Sequence, residues 1–295
     1  AFVSPDGYHW QQLREEPIIT DGAFDSQNLA FWDVYRGQYI AFYRDFRTNI
    51  RSIKVATSSD FLNWTRGQWL DFGQTPLEHF YTNATVAYPR APHLFLAFPK
   101  RFLPDRQVVP AHPYPGLSDG VFMTSRDGLH WDRTFMEAFL RPGRDLENWT
   151  ERSNAIAWGI LQTAPDEISL YYLEHYRHDS IRVRRGTLRL DGFASIHAGY
   201  NFAQVITRPL TFTGSELVLN YATSAAGSVR VELQEADGTP LPGYGLGDSV
   251  ELIGDEIERV VSWKGGSSVA DLAGRPIRLR FSLRDADIYA LQFRP

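Results

Sequence analysis

The chain has 295 residues, 43% of them apolar and 14% aromatic, enough for one large or two modest cores. Thirty Lys and Arg against 35 Asp and Glu leave a formal charge of −5 without any basic block, which argues against nucleic acid and anionic membranes as partners. There is no cysteine, hence no disulfide framework and no thiolate chemistry, and no run of about 18 apolar residues that would span a bilayer.

The chain opens on a motif, Ser4, Asp6, Gly7 and Trp10, that returns as Ser125, Asp127, Gly128 and Trp131. Between them the stretch 57–64 keeps Asp60 and Trp64 without the glycine, and 190–193 keeps Asp191, Gly192 and an aromatic, Phe193. The three later copies, at Asp60, Asp127 and Asp191, follow alternating apolar segments, 53–57, 120–124 and 183–188. Asp and Gly tolerate turn dihedrals that other residues resist, so strand, Asp-Gly turn and aromatic clamp read as a hairpin. Two more elements recur in order. One is an apolar strand entered through asparagine (28–32, 83–88, 154–158). The other is an aromatic strand ending in charge (39–45, 94–101, 168–175). Repeated small antiparallel sheets of this length predict an all-β chain of propeller blades.

The blades are expected at 11–64, 65–131 and 132–197, with a short helix around Arg133 to Leu140. Phe2 to Trp10 reads as the closing hairpin of a unit whose other strands are absent, so the propeller is expected to be incomplete at its N-terminal end, about three blades of five. Trp10, Trp64 and Trp131 are expected to be buried. The open side is expected either to expose an apolar flank or to self-associate. From about residue 200 the texture changes to clean alternation (216–221, 228–233, 277–283, 288–293), the pattern of a β-sandwich. The domain reading is 1–199 for the blades and 200–295 for the sandwich.

In a propeller the entry ends of the inner strands converge. The segments before these strands carry Asp25, Glu78 and Glu151, with Asn28 and Asn83 opening the first two strands. Arg44 and Asp45 end one aromatic strand, and Lys100 and Arg101 hold the matching place in the next. Converging carboxylates among aromatics suit glycoside hydrolysis, which needs one protonated and one ionised acid across a glycosidic oxygen. They suit equally well a role in binding loop amides. The eight histidines have no metal-ligand spacing, and there is no G-x-S-x-G and no phosphate-binding glycine loop, so no metal and no cofactor is expected.

The Ser-x-Asp-Gly-x-x-Trp hairpins, Arg44-Asp45 in one blade, Glu78 in the next and the trailing alternation resemble the five-bladed propeller glycosidases of families 32, 43 and 68, with the two-domain order most similar to family 32. The resemblance implies a glycoside hydrolase that cleaves poly- or oligosaccharide. It implies a transition-state stabiliser at Asp25 or Asp45, an acid/base glutamate at Glu78, and substrate contacts from Asn28, Arg44, His79, Asn83, Lys100, Arg101, Glu151 and Arg152. Phe46 stands where family 32 has proline after Arg-Asp, and His79 where it usually has cysteine after the glutamate. The family's first-blade aspartate has no counterpart. A non-catalytic carbohydrate-binding propeller is the alternative.

Overall fold

The computed structural model describes residues 1–295 and consists of β-strands and connecting loops, with two three-residue 3-10 turns at Leu146–Asn148 and Ala270–Leu272. The helix expected over 133–140 does not form. Asp132 accepts from the backbone N–H and the hydroxyl of Thr134, a local turn that diverts the backbone. Leu140 then bridges back to Gly120.

Strands β1 (Phe2–Val3) and β2 (Gln11–Gln12) pair as a small antiparallel hairpin. The first blade follows: β3 (Leu29–Asp33), β4 (Gln38–Arg47), β5 (Ile50–Ser58) and β6 (Gln68–Trp69), antiparallel and in sequential order. β4 is buried on both faces. Ile40 and Phe42 join one cluster and Ala41 and Tyr43 another. Its turn into β5 holds Thr48 and Asn49 at φ 49° and 65°, and the positive φ at both centres lets the turn twist with the strands.

The second blade is made of β7 (His79–Phe80), β8 (Val86–Tyr88), β9 (Ala91–Ala97), β10 (Lys100–Leu103), β11 (Leu117–Gly120), β12 (Met123–Ser125) and β13 (Trp131–Asp132). The order β13-β12-β9-β8 forms a four-stranded sheet, and β11-β10-β7 extends it beyond Pro99, which has no N–H to continue the ladder. One apolar cluster fastens the first two blades: Ile40, Phe42, Ile53 and Val55 pack with Phe95, Ala97, Met123 and Trp131. The third blade has β14 (Ala155–Ile156), β15 (Leu161–Ala164), β16 (Glu167–Glu174) and β17 (Arg182–Arg189), in the order β14-β16-β15 with β17 also on β16.

The hairpins share one hydrogen-bond plan. Ser4, Ser58 and Ser125 donate to Asp6, Asp60 and Asp127, whose Oδ1 accepts two backbone N–H groups further along. Each tryptophan donates its indole N–H to the carbonyl of the residue after the aspartate, Gly7, Phe61 or Gly128, at 2.8–3.0 Å. That residue has positive φ in all three, 79°, 66° and 84°, a conformation glycine adopts freely and Phe61 only at a cost. The aspartates titrate low. Burial opposes the shift most at Asp127, yet bonds from the His130 side chain, the His130 and Leu129 amides and Ser125 hold it at about 2.

The clamps differ in burial, and Trp10 corrects an expectation. Trp131 is 4% exposed, packed edge-to-face on Phe42, and Trp64 is half-buried beside Phe61. Trp10 is 62% exposed, because the β1–β2 hairpin stands as a sheet of its own with nothing over its tryptophan. Apolar side chains are indeed exposed on the first and third blades, among them Trp32, Val34, Trp158, Ile181 and Val183.

By packing, the chain divides into two compact units, residues 1–161 with 169–186, and residues 162–168 with 187–295. The second holds a five-stranded sheet, β18 (Ile196–Ala198), β19 (Ala203–Ile206), β20 (Glu216–Glu235), β21 (Asp255–Val260) and β22 (Ile277–Arg294), ordered β18-β22-β20-β21 with β19 also on β22. β20 and β22 pair along their whole lengths but slip register between Thr223 and Ser228. There Gly227 lies so near the opposite strand that a Cβ would sit 2.2 Å from the Asp285 carbonyl oxygen. The slip shifts the burial phase from Ile277, Leu279, Phe281 and Leu283 to Ala286 and Ile288, so both halves line one core with Leu217, Tyr221, Val231 and Trp263. The layers expected of a sandwich are thus the two ends of one curled sheet. No helix is long and apolar enough to cross a membrane.

Candidate functional site

Within the first unit, side chains from three blades meet at the ring of Tyr81. Tyr81 follows β7, and its N–H donates 2.8 Å to the carbonyl of Lys100 at the start of β10. Lys100 Nζ stands 4.2 Å from the Tyr81 ring centre, with Arg51 at 5.3 Å, Arg44 at 5.4 Å and Arg152 of the third blade at 5.5 Å. Register explains the first-blade members. Arg44 and Phe46 share a face of β4, and Arg51 pairs with Phe46 across the two-residue turn. Phe46 lies 5.0 Å from the Arg44 guanidinium and Phe102 lies 5.2 Å from that of Arg51. Tyr176 accepts from Arg152 Nη1 at 3.2 Å.

Two of these cations have no acceptor. Lys100 is 4% exposed, with no carboxylate in ion-pair range and no hydrogen bond from Nζ. Burial, then the charges of Arg152 and Arg51, push its ammonium down to about 7 against the pull of Glu151. The side chain of Arg51 makes no ion pair, and its buried Nε has no partner.

The acidic residues read from the sequence are placed differently, each against a cation. Asp25, largely exposed, pairs with Arg44. Asp45 pairs with Lys54 at 2.6 Å, on the face of β4 opposite to Arg44, because neighbouring residues of a strand point to opposite sides. Glu78 bridges Arg101 at 3.0 Å and Arg133, and Arg101 also grips Asp119 through two bonds. Glu78 and His79 line a groove of about 240 Å³ with Arg101, Phe102 and Arg106. Glu151 is buried, bonded to His112 and Arg177 at 2.7 Å each, and these bonds hold its carboxyl below the usual range although burial works against them.

Asn83 is 1% exposed and ties the second blade to the first through the carbonyls of Gln27 and Phe42. Asn154 does the same for the third blade through Ser118. Exposed Asn28 donates to Phe24 and Ser26. His79 Nδ1 accepts from the Arg51 amide, and burial together with the Arg51 charge keeps it less basic than usual. The structure therefore brings together Arg44, Lys100 and Arg152, with Glu151 close by, and sets Asp45 on another face. Sequence reasoning missed Arg51, Arg177, His112 and the centring role of Tyr81. The Thr48-Asn49 turn carried the one usable signal, since it fixes Arg51 opposite Phe46.

A second polar cluster lies in the same unit. Ligand atoms of Asp145, Glu147 and His175 fall within 4.8 Å of one another. All three are engaged. Asp145 caps the 3-10 turn and meets His175 Nε2 at 2.8 Å, and Glu147 meets His175 Nδ1 at 2.9 Å and accepts from Ser180. This is a cross-link between the turn and residues 175–180.

No protein-family model and no curated protein matches the sequence. Solved structures do match, among them an N-acetylgalactosamine deacetylase from F. plautii in complex with blood group B trisaccharide, 15% identical over 60% of this chain and 53% of that one, TM-score 0.41. A fructofuranosidase from Schwanniomyces occidentalis complexed with fructosylnystose is 7% identical over 92% and 95%, TM-score 0.32. A Bombyx mori GH32 beta-fructofuranosidase is 10% identical over 92% and 79%, TM-score 0.26. The chain spans about half the length of the first of these. Superpositions this loose place no residue of this chain on a residue of theirs, and the blade architecture rests on the sheets of this chain itself.

Proposed function

We propose that this chain is a glycoside hydrolase-like propeller that holds carbohydrate at the mouth of its blades, against the rings of Tyr81, Phe102, Phe46 and Tyr176. The observation that carries the reading is that side chains from three successive blades meet on one half-buried aromatic ring. Flat rings beside multiple N–H donors suit a sugar, which offers an apolar C–H face and a rim of hydroxyls.

Hydrolysis is the finer reading, and the groove beside Glu78 favours it. In that reading Glu78 protonates the leaving oxygen and Asp25 stays ionised near the anomeric carbon, since Asp45 faces Lys54 on the other side of β4. A hydrolase of this kind needs two carboxyl groups about 5–10 Å apart across the bond, and Glu78 must first give up its two guanidinium partners. Glu78→Gln separates the two readings. As a hydrolase, the protein cleaves oligosaccharide and the variant binds it but no longer turns it over. As a binding module, wild type and variant alike bind without cleavage. Failure of the wild type to bind any glycan overturns both.

A further inference from the structure

We infer that the cations around Tyr81 form a subsite for an anionic group on the ligand, a carboxylate or sulfate borne by a sugar. The inference rests on the carbohydrate reading and names the class of sugar. Its ground is an imbalance of charge. Arg44, Arg51, Lys100 and Arg152 stand within 5.5 Å of one ring centre. The acids nearest to them are spoken for. Asp25 is exposed and taken by Arg44, and Glu151 is held by His112 and Arg177. Arg51 Nε is buried without a partner, and Lys100, a residue only 4% exposed, makes no ion pair with any carboxylate. A buried cation without a partner is costly to a fold, and a cluster of them adds mutual repulsion.

A ligand oxyanion would meet both needs. It would accept from the Lys100 ammonium and the planar forks of Arg51 and Arg152, the donors suited to carboxylate and sulfate. The ring of Tyr81 holds the cations in place meanwhile through its negative face. A neutral sugar offers hydroxyl acceptors to Lys100 and Arg51 but leaves their charge uncompensated.

The groups that face Lys100 set the pH behaviour: Arg152 and Arg51 disfavour its proton, Glu151 favours it, and Tyr81 lies against it. Burial first, then Arg152 and Arg51, hold the Lys100 ammonium down to about 7. An anion binds the protonated form, so binding takes up protons near and above that pH, and affinity falls as pH rises further.

The test is calorimetric titration and thermal melting of the whole chain with inorganic sulfate, a galacturonate trimer and a neutral galactose trimer of the same linkage. We expect the acidic trimer to bind at least about tenfold more tightly than the neutral one, the increment of one charge-assisted hydrogen bond, with sulfate competing. Lys100→Met should erase the preference while the ligand-free melting temperature holds or rises, because a buried unpaired charge has gone. A lysine kept for structure would lower it. Arg51→Gln is the companion variant should Lys100→Met fold poorly, and should also reduce the preference. If sulfate binds and neither trimer does, the carbohydrate reading fails and the anion subsite stands. If both trimers bind alike, or Lys100→Met and Arg51→Gln keep the preference, the subsite is refuted and carbohydrate binding survives. Binding of neither sulfate nor the acidic trimer refutes it as well.

Discussion

The two compact units are held together by different physics. In the second, two long strands present one side chain in two to a single core, and even the slip at Gly227 serves to keep both halves of β22 facing it. In the first, strands are short and much of the order comes from polar clamps: Ser–Asp–Trp webs in the hairpins, asparagines that stitch blade to blade, and salt bridges at the strand ends. The difference teaches where function can sit. The apolar cluster of the second unit offers no polar group to a ligand. A set of blades joined by polar groups can leave a few of them unsatisfied where the strand ends meet, and Arg51, whose Nε is buried without a partner, is one of them.

The contrast between the units breaks most readily where burial is deepest. Phe281→Ala, at 1% exposure in the second unit's core, should cost about 3–5 kcal/mol in chemical denaturation. Trp131→Ala should cost about the same, since its ring is sealed between blades, whereas Trp10→Ala in an identical hairpin should change stability by less than about 1 kcal/mol. Equal losses at Trp10 and Trp131 would mean that the clamp's own hydrogen bonds, and not burial, decide its worth.

A smaller effect probes the clamp electrostatics. The folded carboxyl of Asp127 lies near 2, below its ordinary 3.8. Its contribution is therefore present in full above about pH 4 and is lost as pH falls toward 2. Asp127→Asn keeps the backbone acceptor but loses the charge facing His130. The variant should be less stable at neutral pH by about 1 kcal/mol or less, as befits a largely exposed pair. The gap should close as melting is followed from pH 5 to pH 2. A gap that stays constant with pH would assign the low titration to something other than the hairpin.

Much of the architecture was legible because it is written in local patterns. The Asp-Gly-Trp hairpins and the asparagine-led strands each repeat within one blade, and alternation after residue 200 marks strands with one buried face. What was not legible depended on partners distant in sequence. Trp10 and Trp131 occupy the same place in the same motif, and the apolar cluster packed around Trp131, Phe42 included, separates their burial. Position in the repeat pointed to Asp25, Glu78 and Glu151 as the converging groups, and it could not reveal that Glu78 would turn to Arg101 and Arg133 while Arg44, Lys100 and Arg152 gather at Tyr81. Period two alone separates Arg44 from Asp45, and reading them as a pair overlooked it.

The central claim is that the chain binds its ligand on the ring where three blades meet. The measurement that bears on it most directly is a calorimetric comparison of wild type and Tyr81→Ala against one oligosaccharide that the wild type binds. We expect affinity to fall by tenfold or more, roughly the worth of a stacked aromatic contact with its attendant cations, while the melting transition remains cooperative. Unchanged affinity in a folded Tyr81→Ala variant would contradict the claim and move the site elsewhere on the blades.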